Sequence, residues 1–143
     1  MQTAELLEKA IAIAVEAHKG QLDRYGAPYI LHVLKVMQAG YTQDEKIVGV
    51  LHDIIEDTHW TAKDLAGERF PEHIVAAIDS LSKKDSEEYE AFIDRIKKNT
   101  LAISVKLNDL RDNMDLCRVQ KLSAEDIPRL NKYIKAYQEL MEL

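Results

Sequence analysis

Apolar residues recur at intervals of three and four along nearly the whole chain, and that rhythm limits the fold to helices packed on helices. Leu6, Leu7, Ala10, Ile11, Ala14 and Val15 fall on one face of a helix that Gly20 can end. Gly26 and Pro28 interrupt the pattern within QLDRYGAPYI, and it resumes from Ile30 to Ala39, closed by Gly40. Thr42 followed by Glu45 is a capping-box pair, so a third helix is expected from about Gln43 through KIVGVLHDIIE. Thr61 can cap a short helix over AKDLAGERF, Pro71 suits the first turn of one through EHIVAAIDSL, and Ser86 can cap EEYEAFIDRIKK, which ends near Asn99. Leu101, Val105, Leu107, Leu110 and Met114 mark a further buried helix. Ser123 and Asp126 offer caps for a last one, with Leu130, Ile134, Tyr137 and Leu140 facing inward. No strand pattern of useful length, repeat or low-complexity linker breaks the sequence of helices. The expected fold class is all-α, a single bundle of about six to eight helices with residues 1–143 as one domain.

Composition narrows the function. A chain of 143 residues with a hydrophobic fraction of 46%, five Gly and three Pro can bury a core without disulfides. Cys117 is the single cysteine, which excludes an intrachain disulfide; its expected place is a buried structural thiol. The formal charge of −6 argues against nucleic acid as a partner, because such binding draws on clustered Lys and Arg. A small phosphorylated ligand stays open, since a divalent cation and a few bases can reverse the field inside one cleft. No segment approaches the roughly 18 apolar residues of a membrane span, and the N-terminus lacks a basic-then-apolar signal pattern. A cytoplasmic location without a membrane partner is expected.

Chemistry concentrates in LHDIIEDTHW, where His52, Asp53, Glu56 and Asp57 are interleaved with Leu51, Ile54 and Ile55. Three acids and a histidine on a mostly buried segment need a positive partner. Imidazole and carboxylate together suit Mn²⁺, Fe²⁺ or Zn²⁺, carboxylates favouring the harder ions. Adjacent residues on a helix point about 100° apart, so His52 and Asp53 reach one ion only if other elements complete the shell. His32 and Asp109 are candidates for that opposite side. Glu56 and Asp57 lie four residues beyond His52 and Asp53, on the same stripe, where a carboxylate can orient or deprotonate water activated by a cation.

Three segments, HKGQLDRYGAPYILH (18–32), LHDIIEDT (51–58) and VKLNDLRDN (105–113), resemble the signature segments of the HD-domain hydrolases of the RelA/SpoT type. The resemblance covers roughly residues 4–140 and is nearest in size to the small alarmone hydrolases. It implies a divalent ion, Mn²⁺ in this family, on His32, His52, Asp53 and Asp109. It implies a water-activating pair in Glu56 and Asp57, and substrate contacts from Arg24, Lys83 and Asn113. The implied reaction removes the 3′-pyrophosphate of guanosine tetra- or pentaphosphate, leaving GDP or GTP. The alternatives are hydrolysis of another phosphorylated nucleotide, or a nucleotide-sensing module without turnover. Between Gln21 and Gly26 the family has two successive basic residues, the first stacking on guanine, where this chain has Asp23 and then Arg24. Val33 stands where the family has Pro. No synthetase or regulatory domain is expected after the last helix.

Other polar residues have plainer expectations. His18 is expected at a helix C-terminus, where a cationic ring is favourable, and His59 and His73 on the surface. Trp60 is expected to pack against the following short helix, Lys106 and Arg111 to form helix-surface ion pairs, and DSEEYE to be a solvated helix start, with Tyr89 or Arg95 as possible edges of the cleft.

Overall fold

The computed structural model describes residues 2–143. Among them nine helical segments follow one another: α1 (Thr3–Ala17), α2 (Ile30–Ala39), α3 (Gln43–Leu51), α4 (Ile54–Asp57), α5 (Ala62–Gly67), α6 (Glu72–Ser80), α7 (Tyr89–Ile96), α8 (Thr100–Asn113) and α9 (Asp126–Met141). Among the described residues the pairing of extended backbone is confined to an isolated bridge between Leu22 and Pro28. The class is all-α, as the apolar rhythm requires.

Helix α3 is the axis of the bundle. It packs against α1, α2, α6 and α8, and Ile47, Val48, Val50 and Leu51 are completely buried. Each such aliphatic side chain contributes roughly 1.5–3 kcal/mol by leaving water, so the apolar C-terminal half of α3 is stable only at the centre. Gly49 lets α2 come unusually near. A Cβ at that position would meet Met37 N, Met37 Cα and Val36 O, each at 3.1 Å. This contact sets His32 on α2 beside His52 at the end of α3.

The capping box read at Thr42 forms, and the cap read at Thr61 proves to be a second one. Thr42 accepts from Glu45 N while the Glu45 carboxylate accepts from Thr42 N, and Thr61 and Asp64 do the same for α5. Ser123 and Asp126 also pair, with Ser123 N and Oγ donating to the Asp126 carboxylate ahead of α9. Asn99 supplies a further cap by accepting from Ala102 N at 2.9 Å.

Three expectations are corrected. The third helix does not run through to Glu56: it stops at Leu51, passes through His52 and Asp53, and resumes as α4 at Ile54. Asp53 has φ −99° and ψ 1°, which tilts the chain out of helical register at that residue. Next, α7 starts at Tyr89 rather than after Ser86, because Glu87 is drawn to Arg95, which donates to it from Nε and Nη2 at 3.0 Å each. Finally, Cys117 is exposed. It lies in the connection between α8 and α9, where its backbone N–H donates to Asp115 Oδ1 at 3.0 Å and no core is within its reach.

Candidate active site

The break at His52–Asp53 assembles the site. With the helical register released, both neighbours converge on one point: His52 Nε2 lies 3.0 Å from Asp53 Oδ2 and 3.3 Å from Asp109 Oδ1. From α2, His32 Nε2 comes within 2.9 Å of the same Asp109 oxygen. One donor atom from each of His32, His52, Asp53 and Asp109 falls within 4.8 Å of every other, as a single ion requires.

The second nitrogen of each histidine shows why Nε2 is the atom presented inward. His32 Nδ1 is 2.6 Å from Asp112 Oδ2 and His52 Nδ1 is 2.6 Å from Gly49 O. A carbonyl only accepts, so His52 Nδ1 carries a proton and Nε2 is the nitrogen left to face a ligand. The Asp112 carboxylate imposes the same tautomer on His32, an arrangement that raises ligand basicity. The donor set therefore fits a divalent cation through atoms already aimed at one point.

Electrostatics reinforce that fit. Burial alone would push the Asp53 carboxyl up, but the neighbouring His52 pulls it down to about 2. Asp109 is likewise held far below the carboxylate range: Lys106, His52 and His32 outweigh its burial. Burial disfavours a charged His32, yet bonds to Asp109 and Asp112 lift it to about 9. The cluster is thus a pair of carboxylates neutralised by protons on imidazole, and a divalent cation can replace those protons.

Around this centre stands a second ring of partners. Tyr29 Oη donates to Asp53 Oδ2, its ring held between His18 and His32 at centroid distances of 5.4 Å each. Lys106 Nζ donates to Asp109 Oδ2 at 2.8 Å and Asn113 Nδ2 to Asp109 Oδ1 at 3.0 Å. Lys106 is buried, which corrects the expectation of a helix-surface pair; its aliphatic stem and ammonium lie against Phe92, 5.2 Å from the ring centroid. Arg111 does stay at the surface, bonded to Asn108 and lying over Tyr137.

The cluster floors a cavity of about 450 Å³ that also takes in Arg24, Glu56, Asp57, Lys83 and Asn113. The structure thereby brings together every site residue named from the sequence, with His52 buried beneath the floor. Glu56 Oε1 accepts from Lys83 N at 2.7 Å, joining α4 to the loop after α6. The Asp57 carboxyl reaches solvent, yet partial burial and repulsion from Asp53 and Glu56 push it up to about 7. Arg24 sits 3.6 Å from Asp126 Oδ1. Lys83, Lys106, Arg129 and Lys132 add a cationic wall to the same cavity, and Lys132 Nζ is 4.5 Å above the Tyr89 ring. Burial, followed by repulsion from Lys106, Lys83 and Arg129, lowers the pKa of Lys132.

No family model matches the chain. In sequence it is 30% identical over 125 residues to a guanosine-3′,5′-bis(diphosphate) 3′-pyrophosphohydrolase of Aquifex aeolicus, a match covering 79% of this chain and 18% of that protein. It is 32% identical over 130 residues to a GTP pyrophosphokinase of Myxococcus xanthus, over 77% of this chain and 17% of the relative. The chain thus spans less than a fifth of the length of these curated relatives. A solved structure of a metazoan ortholog of SpoT, described as hydrolysing ppGpp and acting in starvation responses, shares the fold. Its TM-score is 0.78 at 20% identity, covering 94% of this chain and 84% of that one. The chain belongs to the RelA/SpoT-type HD-domain family.

Five residues of this RelA/SpoT-type domain escaped the sequence reading of the site: Tyr29, Lys106, Asp112, Arg129 and Lys132, and the first three had a visible signal. Asp112 and Lys106 lie three residues on either side of Asp109, and Tyr29 three residues before His32, the spacing at which helical neighbours meet. Arg129 and Lys132 carried no such signal, because α9 reaches the cavity only through tertiary packing. Among the bland expectations, His73 and His59 are exposed, and His73 pairs with Asp44 at 2.8 Å. Trp60 packs half-buried against the core. His18 caps the C-terminus of α1, as expected, and is buried there, its Nδ1 2.8 Å from Gln21 Oε1. Tyr89 lines the cavity, while Arg95 is occupied with Glu87 and the Ser82 carbonyl.

Proposed function

We propose that the chain is a Mn²⁺-dependent hydrolase that removes the 3′-pyrophosphate of guanosine 3′,5′-bis(diphosphate), releasing GDP and pyrophosphate. The observation that carries this reading is the meeting of a four-donor His/Asp cluster and four cations, Lys83, Lys106, Arg129 and Lys132, at one cavity. The relatives whose names specify this reaction support the choice of substrate.

His32, His52, Asp53 and Asp109 would hold the ion, and Tyr29, Lys106, Asp112 and Asn113 fix the geometry of those ligands. When bound, a divalent cation polarises a phosphoryl oxygen and makes water more acidic. Asp57 is the group poised to take the proton: a carboxyl with a pKa near 7 is half ionised at neutral pH, where a general base is most effective. Glu56 keeps α4 aligned through its bond to Lys83 N, and it adds negative charge that raises the basicity of Asp57. The cations of the wall face the negative charge of the diphosphate whose bond to the 3′ oxygen breaks. Water contributes the oxygen that joins phosphorus, and the 3′ oxygen leaves the reaction as a hydroxyl.

Product analysis tests this directly. Protein loaded with Mn²⁺ should convert guanosine 3′,5′-bis(diphosphate) to GDP and pyrophosphate. Asp53→Ala should lower turnover by at least about 10³-fold, the loss of several kcal/mol of catalysis by the ion. Absence of both products from folded, metal-replete wild-type protein would reject the reading.

A further inference from the structure

At the mouth of the cavity, the loop from Gln21 to Tyr29 is a rigid turn. Tyr29 N donates to Gln21 O at 2.9 Å and Asp23 N to Ala27 O at 2.7 Å, with Gly26 at φ 88° closing the bend. The Asp23 carboxylate points inward into this turn and accepts from Tyr25 N and Ala27 N, each at 2.9 Å. Its other oxygen accepts from Arg118 Nη2 at 3.0 Å, across a separation of 95 residues. Arg118 in turn lies over the Tyr25 ring, 5.8 Å from its centroid. Asp23 thus clasps the two loops that border the cavity and holds one planar group on another.

The remaining aromatic rings of the cavity are already covered. Tyr29 is flanked by two histidines, Phe92 is buried beneath Lys106, and Tyr89 and Tyr133 carry Lys132 or Arg129 on their faces. Tyr25 is 44% exposed, and beside it Leu22 is 64% exposed, so apolar and aromatic surface meets the cavity at this corner. Charge divides the cavity in the same way. Lys106 and Arg129 are paired with Asp109 and Asp126, but Lys83 and Lys132 face the cavity without a carboxylate partner among the described residues and suit phosphate, whereas Arg118 is neutralised by Asp23 and suits an uncharged flat group.

Resting on the nucleotide reading above, we propose that the Tyr25–Arg118 pair, held in place by Asp23, is the platform on which the base of the nucleotide stacks. The acid at position 23 then acts through Arg118 and the turn, as a positioning residue, and the base contact moves to residues on either side of it.

Calorimetric binding to Asp57→Asn protein, which lacks the general base, tests the platform with two probes: guanosine 3′,5′-bis(diphosphate) and inorganic pyrophosphate. Tyr25→Ala should weaken nucleotide binding roughly tenfold, within the range that stacking on an aromatic side chain provides, and leave pyrophosphate binding within about twofold. Tyr25→Phe should restore the nucleotide affinity, and Arg118→Ala should weaken it in the same selective way. An unchanged nucleotide Kd in Tyr25→Ala, an equal loss for pyrophosphate, or no nucleotide binding to the parent protein would overturn the proposal. Failure of the hydrolase reading appears separately, as a wild-type protein that binds the nucleotide through Tyr25 and releases no product.

Discussion

Asp57 illustrates how a single carboxyl is tuned by where the chain places it. It sits one turn beyond Asp53 and next to Glu56, and partial burial together with those two charges disfavours its ionised form. Because its folded value is raised, the folded protein binds the extra proton between the ordinary carboxyl range and about pH 7. Stability of the metal-free protein should therefore fall as pH rises through that window and stay lower above it. Asp57→Asn should stabilise the metal-free protein at pH 8 by on the order of 1 kcal/mol, a figure already reduced for a side chain open to solvent, and thermal melts of the two proteins would show it. The same substitution should remove the acid limb of the rate profile, which in the wild type has its midpoint at or below about pH 7 because a bound cation favours the ionised carboxylate. At this scale much could be read from the sequence: the four donors and Glu56–Asp57 stand in short, recognisable segments. Lys106 was misplaced because its burial depends on Phe92 and Tyr89, which arrive from another helix.

Among the elements, the contact between α2 and α3 governs the spacing of His32 and His52. Gly49 admits it, since any larger residue would press a Cβ onto backbone atoms of α2 that have nowhere to move. Gly49→Ala should cost roughly 1–3 kcal/mol by overpacking, measurable by denaturant titration. It should also weaken Mn²⁺ binding severalfold, because the two imidazoles separate. The caps of α3 and α5 were legible because both partners lie within four residues. The break at Asp53 was not, because no residue there is a breaker and the conformation is imposed by Asp109 and His32 from distant helices. The start of α7 was misjudged for a related reason, since the competing partner of Glu87 lies eight residues away on the far side of a turn.

For the molecule as a whole, ion and proton compete for the same atoms, so fold stability and pH are coupled through the site. Without metal, the raised His32 pKa adds stability that is fully present below about pH 6.5 and lost as pH rises through about 9. With metal the trend reverses, because the ion must displace that proton. Mn²⁺ affinity should fall about tenfold per pH unit below 9, with close to one or more protons released at pH 7; calorimetry in buffers of different ionisation enthalpy would count them. Saturation at a hundred times Kd should add about 2.7 kcal/mol of stability, a gain absent from Asp53→Ala. The ligand set also has a consequence in time. His32 and Asp109 are 77 residues apart, and their meeting awaits the docking of α8 onto α2 and α3, whereas those two helices are neighbours in the chain and can pair early. A grip that exists only once α8 has docked does little to hasten folding. Its influence falls on escape from the native state, so the ion lengthens the lifetime of the finished molecule while leaving the pace of its assembly to the helices.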